Sequence, residues 1–176
     1  MPAEPIDRSD HPLYPLVFIG PMAAGKSKIG RRAARGLGVP FVDTDRLIVA
    51  QYGPISEIFA REGEDYFRVI ERGIVADALG GQGVVSLGGG AVLDPDTQAD
   101  LADHTVVYLS VNARAASKRI GGKKRPLLSG GIADWERIFT ERRPIYEALS
   151  SIHFDTSRRP ISSIADDIVT WVRKRS

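Results

Sequence analysis

Between residues 16 and 37 the sequence passes from an unbroken apolar run, Leu16-Val17-Phe18-Ile19, through Gly20-Pro-Met-Ala-Ala-Gly25-Lys26-Ser27, into a segment that reads as helix up to Gly38. Few features constrain a fold more. Four consecutive apolar residues suit a strand buried on both faces, which is the parallel-sheet situation. The glycine-bounded octapeptide matches G-x-x-x-x-G-K-[ST] in full, in the strand-before, helix-after context that the motif requires. Its physics is that of an anion cradle. Successive backbone N–H groups line a concave loop, and the following helix adds the positive end of its dipole. Lys26 brings a full charge to β- and γ-phosphates, and Ser27 offers a hydroxyl to Mg²⁺. A nucleotide-phosphate site is therefore expected here, against the plainer alternative of a glycine turn with a surface lysine.

The same alternation of elements continues. Val39 to Val42 reads as a second strand ending at Asp43, Glu64 to Leu79 as a helix with Phe67, Ile70, Ile74 and Ala78 inward, and Gly83 to Leu87 as a third strand. Thr105 to Leu109, with its β-branched residues, reads as a fourth strand, followed by a helix from a cap at Asn112 through Arg119. Trp135 to Leu149 is expected to be helical despite Pro144, and Ile152 to Asp155 is a candidate fifth strand. The chain closes with an amphipathic helix, Ile161 to Arg173, burying Ile161, Ile164, Ile168 and Trp171 or Val172. The expected fold is α/β, three layers αβα around a five-stranded parallel sheet. Residues 1–14, polar and proline-rich, read as a flexible N-terminal arm. Residues 15–176 read as a single domain, which suits a chain of 176 residues.

Composition narrows the partners. Lys plus Arg number 24 against 22 for Asp plus Glu, so the net charge of +2 does not describe a general nucleic-acid binder. Arg31, Arg32 and Arg35 could form a basic surface, but no aromatic platform is interleaved with them. With no cysteine, thiolate metal sites, disulfides and cysteine nucleophiles are excluded. No apolar run reaches the 18 or so residues of a membrane span, and the N-terminal stretch lacks the apolar core of a signal peptide. A cytoplasmic protein that engages neither membrane nor nucleic acid is expected.

Nucleotide binding alone leaves the reaction open. No Asn-Lys-x-Asp base-reading motif of GTPases is present, and the small size favours a kinase acting on a small acceptor. Three clusters fall at expected strand ends, where open α/β sheets bind ligands. In Asp43-Thr44-Asp45 one carboxylate can hold the Mg²⁺ shell while the other accepts a hydrogen bond from an attacking hydroxyl. A helix-capping role for Asp45 is the alternative. Gly88-Gly89-Gly90 allows close approach of a ligand to backbone, or simply makes a turn. Arg68 (with Glu71 at i+3), Arg125 and Arg142 are each surface residues taken singly. Together they suit a substrate carboxylate held by guanidinium forks.

Taken together, these motifs are recognisable. Gly20–Ser27, Asp43-Thr-Asp45, Gly63-Glu-Asp-Tyr-Phe-Arg68, Leu87-Gly-Gly-Gly90, Arg125-Pro-Leu-Leu128 and Arg142-Arg-Pro-Ile-Tyr146 resemble, in order and spacing, the shikimate kinase family from about Leu16 to Trp171. The resemblance implies a P-loop fold of nucleoside-monophosphate-kinase type, with an acceptor-binding region at about 45–80 and a lid at about 121–131. It implies ATP as co-substrate, Mg²⁺ as cofactor, shikimate as acceptor, phosphorylation of its 3-hydroxyl on the route to aromatic amino acids, and a monomer. By position, Lys26, Asp45 and Arg125 are the implied catalytic residues. Gly20, Ala23, Ala24, Gly25, Lys26, Ser27, Lys28, Arg119, Arg125 and Arg159 are implied to hold the nucleotide, with Arg119 and Arg159 flanking adenine. Ser27 and Asp43 are implied for the metal, directly and through water. Asp45, Arg68, Gly89, Gly90 and Arg142 are implied for the acceptor, with Phe59 and Phe67 as the apolar wall behind its ring. Ala23 stands where the family often has glycine, and Arg143 competes with Arg142 for the carboxylate. The R-x-P spacing favours Arg142. A gluconate-kinase-like enzyme is the nearest rival, and a non-catalytic nucleotide-binding module is another.

Overall fold

The computed structural model describes residues 12–121 and 127–176. Most of the expected N-terminal arm, the first half of the expected lid and Arg125 lie outside the described residues. Within them, five strands form one parallel sheet: β1 (Leu16–Ile19), β2 (Phe41–Asp43), β3 (Val84–Ser86), β4 (Val106–Ser110) and β5 (Ile152–Asp155). The order across the sheet is β2-β3-β1-β4-β5. Register follows from pairings such as Phe18 with Ser86 and Val107, and Val42 with Val85.

Burial explains why the central strands were readable. All four residues of β1 and all five of β4 are buried, whereas the edge strand β5 alternates between partly buried and exposed. Side chains alternate across the sheet. Leu16 and Phe18 therefore enter one core with Ile29, Ala33, Ile164 and Ile168, while Val17 and Ile19 enter the opposite core with Val75, Leu101 and Tyr146. The first core is closed by α1 (Lys26–Leu37) and α8 (Ile161–Arg173), in which Val172 rather than Trp171 is the fully buried residue.

Three helices were not anticipated from the sequence: α2 (Thr44–Tyr52), α3 (Ile55–Glu62) and α5 (Pro95–Ala102). Each is short and fully buries only one or two residues, so the apolar stripe is a single turn at most, as with Ile55, Ile58 and Phe59 of α3. The start of α5 did carry a signal. Asp94 caps it, accepting from the Asp96 and Thr97 N–H groups at 2.9 and 3.0 Å, with Pro95 in the first turn. The inward face of α4 (Glu64–Leu79) also differs from expectation: Phe67, Glu71, Ile74, Val75 and Leu79 are buried, with Ile70 and Ala78 only partly so. This helix serves two cores. Val75 and Leu79 face the sheet, while Phe67 and Ile74 join Ile48 and Ile58 in a smaller cluster with α2 and α3. The fold is completed by α6 (Ala113–Ile120), capped by Asn112, and α7, which starts at Ile132 rather than Trp135 and runs through Pro144 to Leu149.

Candidate active site

The loop after β1 and the first turn of α1 form one cleft, a cavity of about 340 Å³ lined by Ala23, Gly25, Lys26, Ser27, Lys28, Asp43, Asp45 and Arg119, among others. The Lys26 ammonium donates to the carbonyls of Gly20 and Pro21 at 2.8 and 3.0 Å, which holds it across the loop. Ala23 adopts φ 70°, the one positive φ among the described non-glycine residues. It thus takes up the left-handed geometry for which glycine is the easier residue. Ala24 points into the core instead of the cleft, and its carbonyl accepts from the Thr156 hydroxyl at 2.8 Å.

The Ser27 hydroxyl donates to Asp43 Oδ2 at 2.5 Å. A hydroxyl beside a carboxylate is an all-oxygen donor pair, the chemistry that a hard Mg²⁺ ion prefers, so these residues fit the expected metal. The same Asp43 caps α2, its other oxygen accepting from Arg46 N–H at 3.2 Å. Capping thus falls on Asp43, which leaves Asp45 in the first helical turn and lining both clefts. Arg119, in the last turn of α6, donates to the Ala23 carbonyl at 2.9 Å and the Thr156 carbonyl at 2.7 Å. Arg159 lies outside the cleft lining, bound to Ser163 and Asp167 at 2.7 and 2.6 Å.

A second cavity, also about 340 Å³, opens beside the first, and Met22, Asp45 and Gly89 line both. Its walls bring together Phe59, Phe67, Arg68, Glu71, Gly88–Gly90 and Arg142, from three helices and the turn after β3. The Phe59 and Phe67 rings lie 4.9 Å apart, centroid to centroid. Arg68 donates to Glu71 at 2.8 Å and Glu64 at 3.1 Å. Burial alone would lower the Arg68 pKa, but the charge and hydrogen bond of Glu71 more than reverse this, so the guanidinium is held above its ordinary value. Glu71 is only 3 % exposed. Burial pushes its carboxyl above the usual range, against the pull of Arg68, and the nearby Asp45 charge adds to the rise.

The glycine turn fits these charges closely. A Cβ at Gly90 would stand 2.5 Å from both terminal nitrogens of Arg68, and one at Gly88 would stand 2.6 Å from Asp45 Oδ1. A side chain at either position would displace the Arg68 guanidinium or the Asp45 carboxylate from its present place, so glycine leaves both where they line the cavity. Of the adjacent arginines, Arg142 is buried at 7 % exposure and lines the cavity, while Arg143 faces solvent and pairs with Glu147 at 2.8 Å. The sequence reading passed over Met22, Val49, Pro54 and Ile55, which also line this cavity. Three of them stand on or beside the short helices that it did not resolve.

A G-x-x-x-x-G-K-S loop cleft and an arginine-lined cavity that share Asp45, beside one parallel sheet, point to a kinase of small molecules built on the P-loop fold. Comparison with known proteins narrows this class. A family model described as shikimate kinase matches residues 22–173. A shikimate kinase of Mycobacterium avium is 46 % identical over 159 residues, covering 88 % of this chain and 90 % of the relative, and one of Thermobifida fusca is 44 % identical over 162 residues, covering 90 % and 93 %. Among solved structures, shikimate kinase from Acinetobacter baumannii in complex with shikimate is similar at a TM-score of 0.87 with 28 % identity, covering 92 % of this chain and 93 % of that one. Shikimate kinase from Aquifex aeolicus is similar at 0.76 with 29 % identity, covering 90 % and 95 %. The chain belongs to the shikimate kinase family.

Proposed function

We infer that the chain catalyses ATP-dependent phosphorylation of shikimate, at its 3-hydroxyl, in aromatic amino-acid biosynthesis. The observation that carries the reading is the shared wall. Asp45 borders both the cleft of Lys26 and Ser27 and the cavity of Arg68 and Arg142, so a hydroxyl seated in one faces a phosphoryl group seated in the other.

In the proposed reaction the shikimate carboxylate is held by Arg68 and Arg142, its ring rests against Phe59 and Phe67, and the Gly89 and Gly90 N–H groups complete the seat. Asp45 accepts a hydrogen bond from the attacking hydroxyl and takes its proton late. As the new O–P bond forms, the bond from the γ-phosphorus to the bridging oxygen breaks and ADP leaves. Such a transfer depends on positioning and on charge around the phosphoryl group. Lys26 exchanges its two loop carbonyls for phosphate oxygens, and Arg125, assigned on the family resemblance, adds a second cation. Gly20, Ala23, Ala24, Gly25 and Lys28 shape the loop around the phosphates. Arg119 and Arg159 are assigned to the adenine, the latter by leaving Asp167. Ser27, and Asp43 through water, would hold Mg²⁺, which when bound supplies charge neutralisation at the β- and γ-phosphates. We extend the proposal to a cytoplasmic monomer, for which sedimentation and cell fractionation are the checks.

The test is ADP release from MgATP, measured with shikimate, with gluconate and with no acceptor. Release that depends on shikimate alone is expected. Release independent of shikimate, or equal with gluconate, overturns the assignment.

A further inference from the structure

The motif Arg142-Arg-Pro-Ile-Tyr146 ends in a side chain to which the reaction above gives no role. Tyr146 is fully buried (0 % exposed) and lies outside the cavity lining, on the core side of the glycine turn. Its hydroxyl donates to the Gly89 carbonyl at 2.5 Å and is also hydrogen-bonded to Arg142, one helical turn back on α7. A phenol has one proton. With that proton committed to a carbonyl, the oxygen must accept from the guanidinium. The ring cannot easily turn away, because it stacks on Tyr108 at 5.4 Å and 20°, and Tyr108 in turn stacks on His153 at 4.5 Å. Burial, opposed by the Arg142 charge, keeps the hydroxyl protonated, its pKa raised to about 12.

We propose that Tyr146 is a positioning residue for the acceptor, setting the aim of Arg142 and the orientation of the Gly89–Gly90 peptide through one hydroxyl. The geometry of a trans peptide makes the second effect direct, since C=O and N–H point in opposite directions across it. Anchoring the Gly89 carbonyl toward the core turns the Gly90 N–H away from the core. The two groups assigned to the acceptor, which lie side by side (a Cβ at Gly89 would stand 3.7 Å from an Arg142 terminal nitrogen), thus share a single reference atom. Neither could drift without breaking a buried hydrogen bond, and an unpartnered buried carbonyl is costly.

This inference rests on the proposed function for its kinetic consequence but not for its structural one. Tyr146→Phe removes the hydroxyl with little change of shape, and Phe139→Leu serves as the control because Phe139 packs against Tyr146 at 6.4 Å without reaching Gly89 or Arg142 by any described bond. In the ligand-free protein, Tyr146→Phe is expected to shift and broaden the NMR signals of the Arg142 Nε–H and the Gly90 amide, whereas Phe139→Leu leaves them in place. In the kinase assay Tyr146→Phe is expected to raise KM for shikimate about tenfold, the scale of one net hydrogen bond, with KM for ATP unchanged. Unmoved signals in Tyr146→Phe overturn the proposal whatever the enzyme phosphorylates. An unchanged shikimate KM, or equal rises in both KM values, overturns its kinetic arm. Wild-type protein without shikimate-dependent ADP release overturns the functional reading instead and leaves the NMR arm to decide.

Discussion

The two clefts are built on opposite principles. The phosphate cleft draws nearly half its lining from one stretch of chain, residues 20–28, and its cations lean on backbone groups: the Lys26 ammonium rests on two loop carbonyls, and Arg119 donates to a third. The acceptor cavity is assembled from side chains on α2, α3, α4 and α7 around one turn, and its lining sets two guanidinium groups, Arg68 and Arg142, beside two carboxylates, Asp45 and Glu71. A backbone cradle is generic for phosphate. In the proposed reading, a fixed set of side-chain charges is what selects the acceptor acid. Removing a group from the first should therefore slow the chemistry, and removing one from the second should weaken acceptor binding.

The largest separation between the clefts should come from Lys26→Ala. Turnover is expected to fall by roughly a thousandfold or more, the scale of losing a cation aimed at the transferred phosphate. Shikimate binding, measured calorimetrically, should stay near wild type. Near-normal turnover, or a matching loss of acceptor binding, would break the contrast. Arg68→Ala should do the reverse, weakening acceptor binding by about 2–5 kcal/mol with KM for ATP held, since it leaves buried Glu71 unpaired. An unchanged acceptor KM in a folded variant would count against the carboxylate clamp.

The smallest effect concerns Glu71 and pH. Its folded-state pKa lies above the unfolded value, so the folded protein binds this proton more tightly. That contribution to stability is fully present below the ordinary glutamate value, about 4.3, and is lost as pH rises through the raised one. Relative to wild type, Glu71→Gln should therefore gain in melting temperature across this window as pH increases. Parallel melting curves for the two proteins would show that Arg68 cancels the effect of burial, and a difference of opposite sign that it outweighs it.

The same contrast decides what was legible in the sequence. Contiguous features were. The apolar runs of β1 and β4 and the octapeptide after β1 announce themselves because each is a local pattern with a local physical cause. The pieces of the acceptor cavity were legible as separate clusters at strand ends, but that Asp45, Arg68 and Arg142 meet rested on the family resemblance, because they come together through tertiary packing alone. The helices α2 and α3 escaped because each is only two to three turns long and fully buries just Thr44, Ile48 and Ile58, with Ile55 and Phe59 partly covered. The burial of Glu71 escaped because a carboxylate on an apolar face reads as solvent-exposed until its arginine is placed. The choice of Arg142 over Arg143 was legible in the R-x-P spacing, and the burial of the first and exposure of the second agree with it. The indole of Trp135 donating to the Met22 carbonyl at 2.9 Å spans 113 positions, and no local pattern could announce it.

The strand order has one more consequence. The phosphate loop leaves β1 and the glycine turn leaves its neighbour β3, so the gap between donor and acceptor is measured in units of strand spacing, about 4.8 Å. That distance is set by hydrogen bonds between main chains, which side-chain substitution barely alters. A lineage of such enzymes can thus exchange the acids it phosphorylates by changing helices, while the reach from one oxygen to the next is inherited with the sheet.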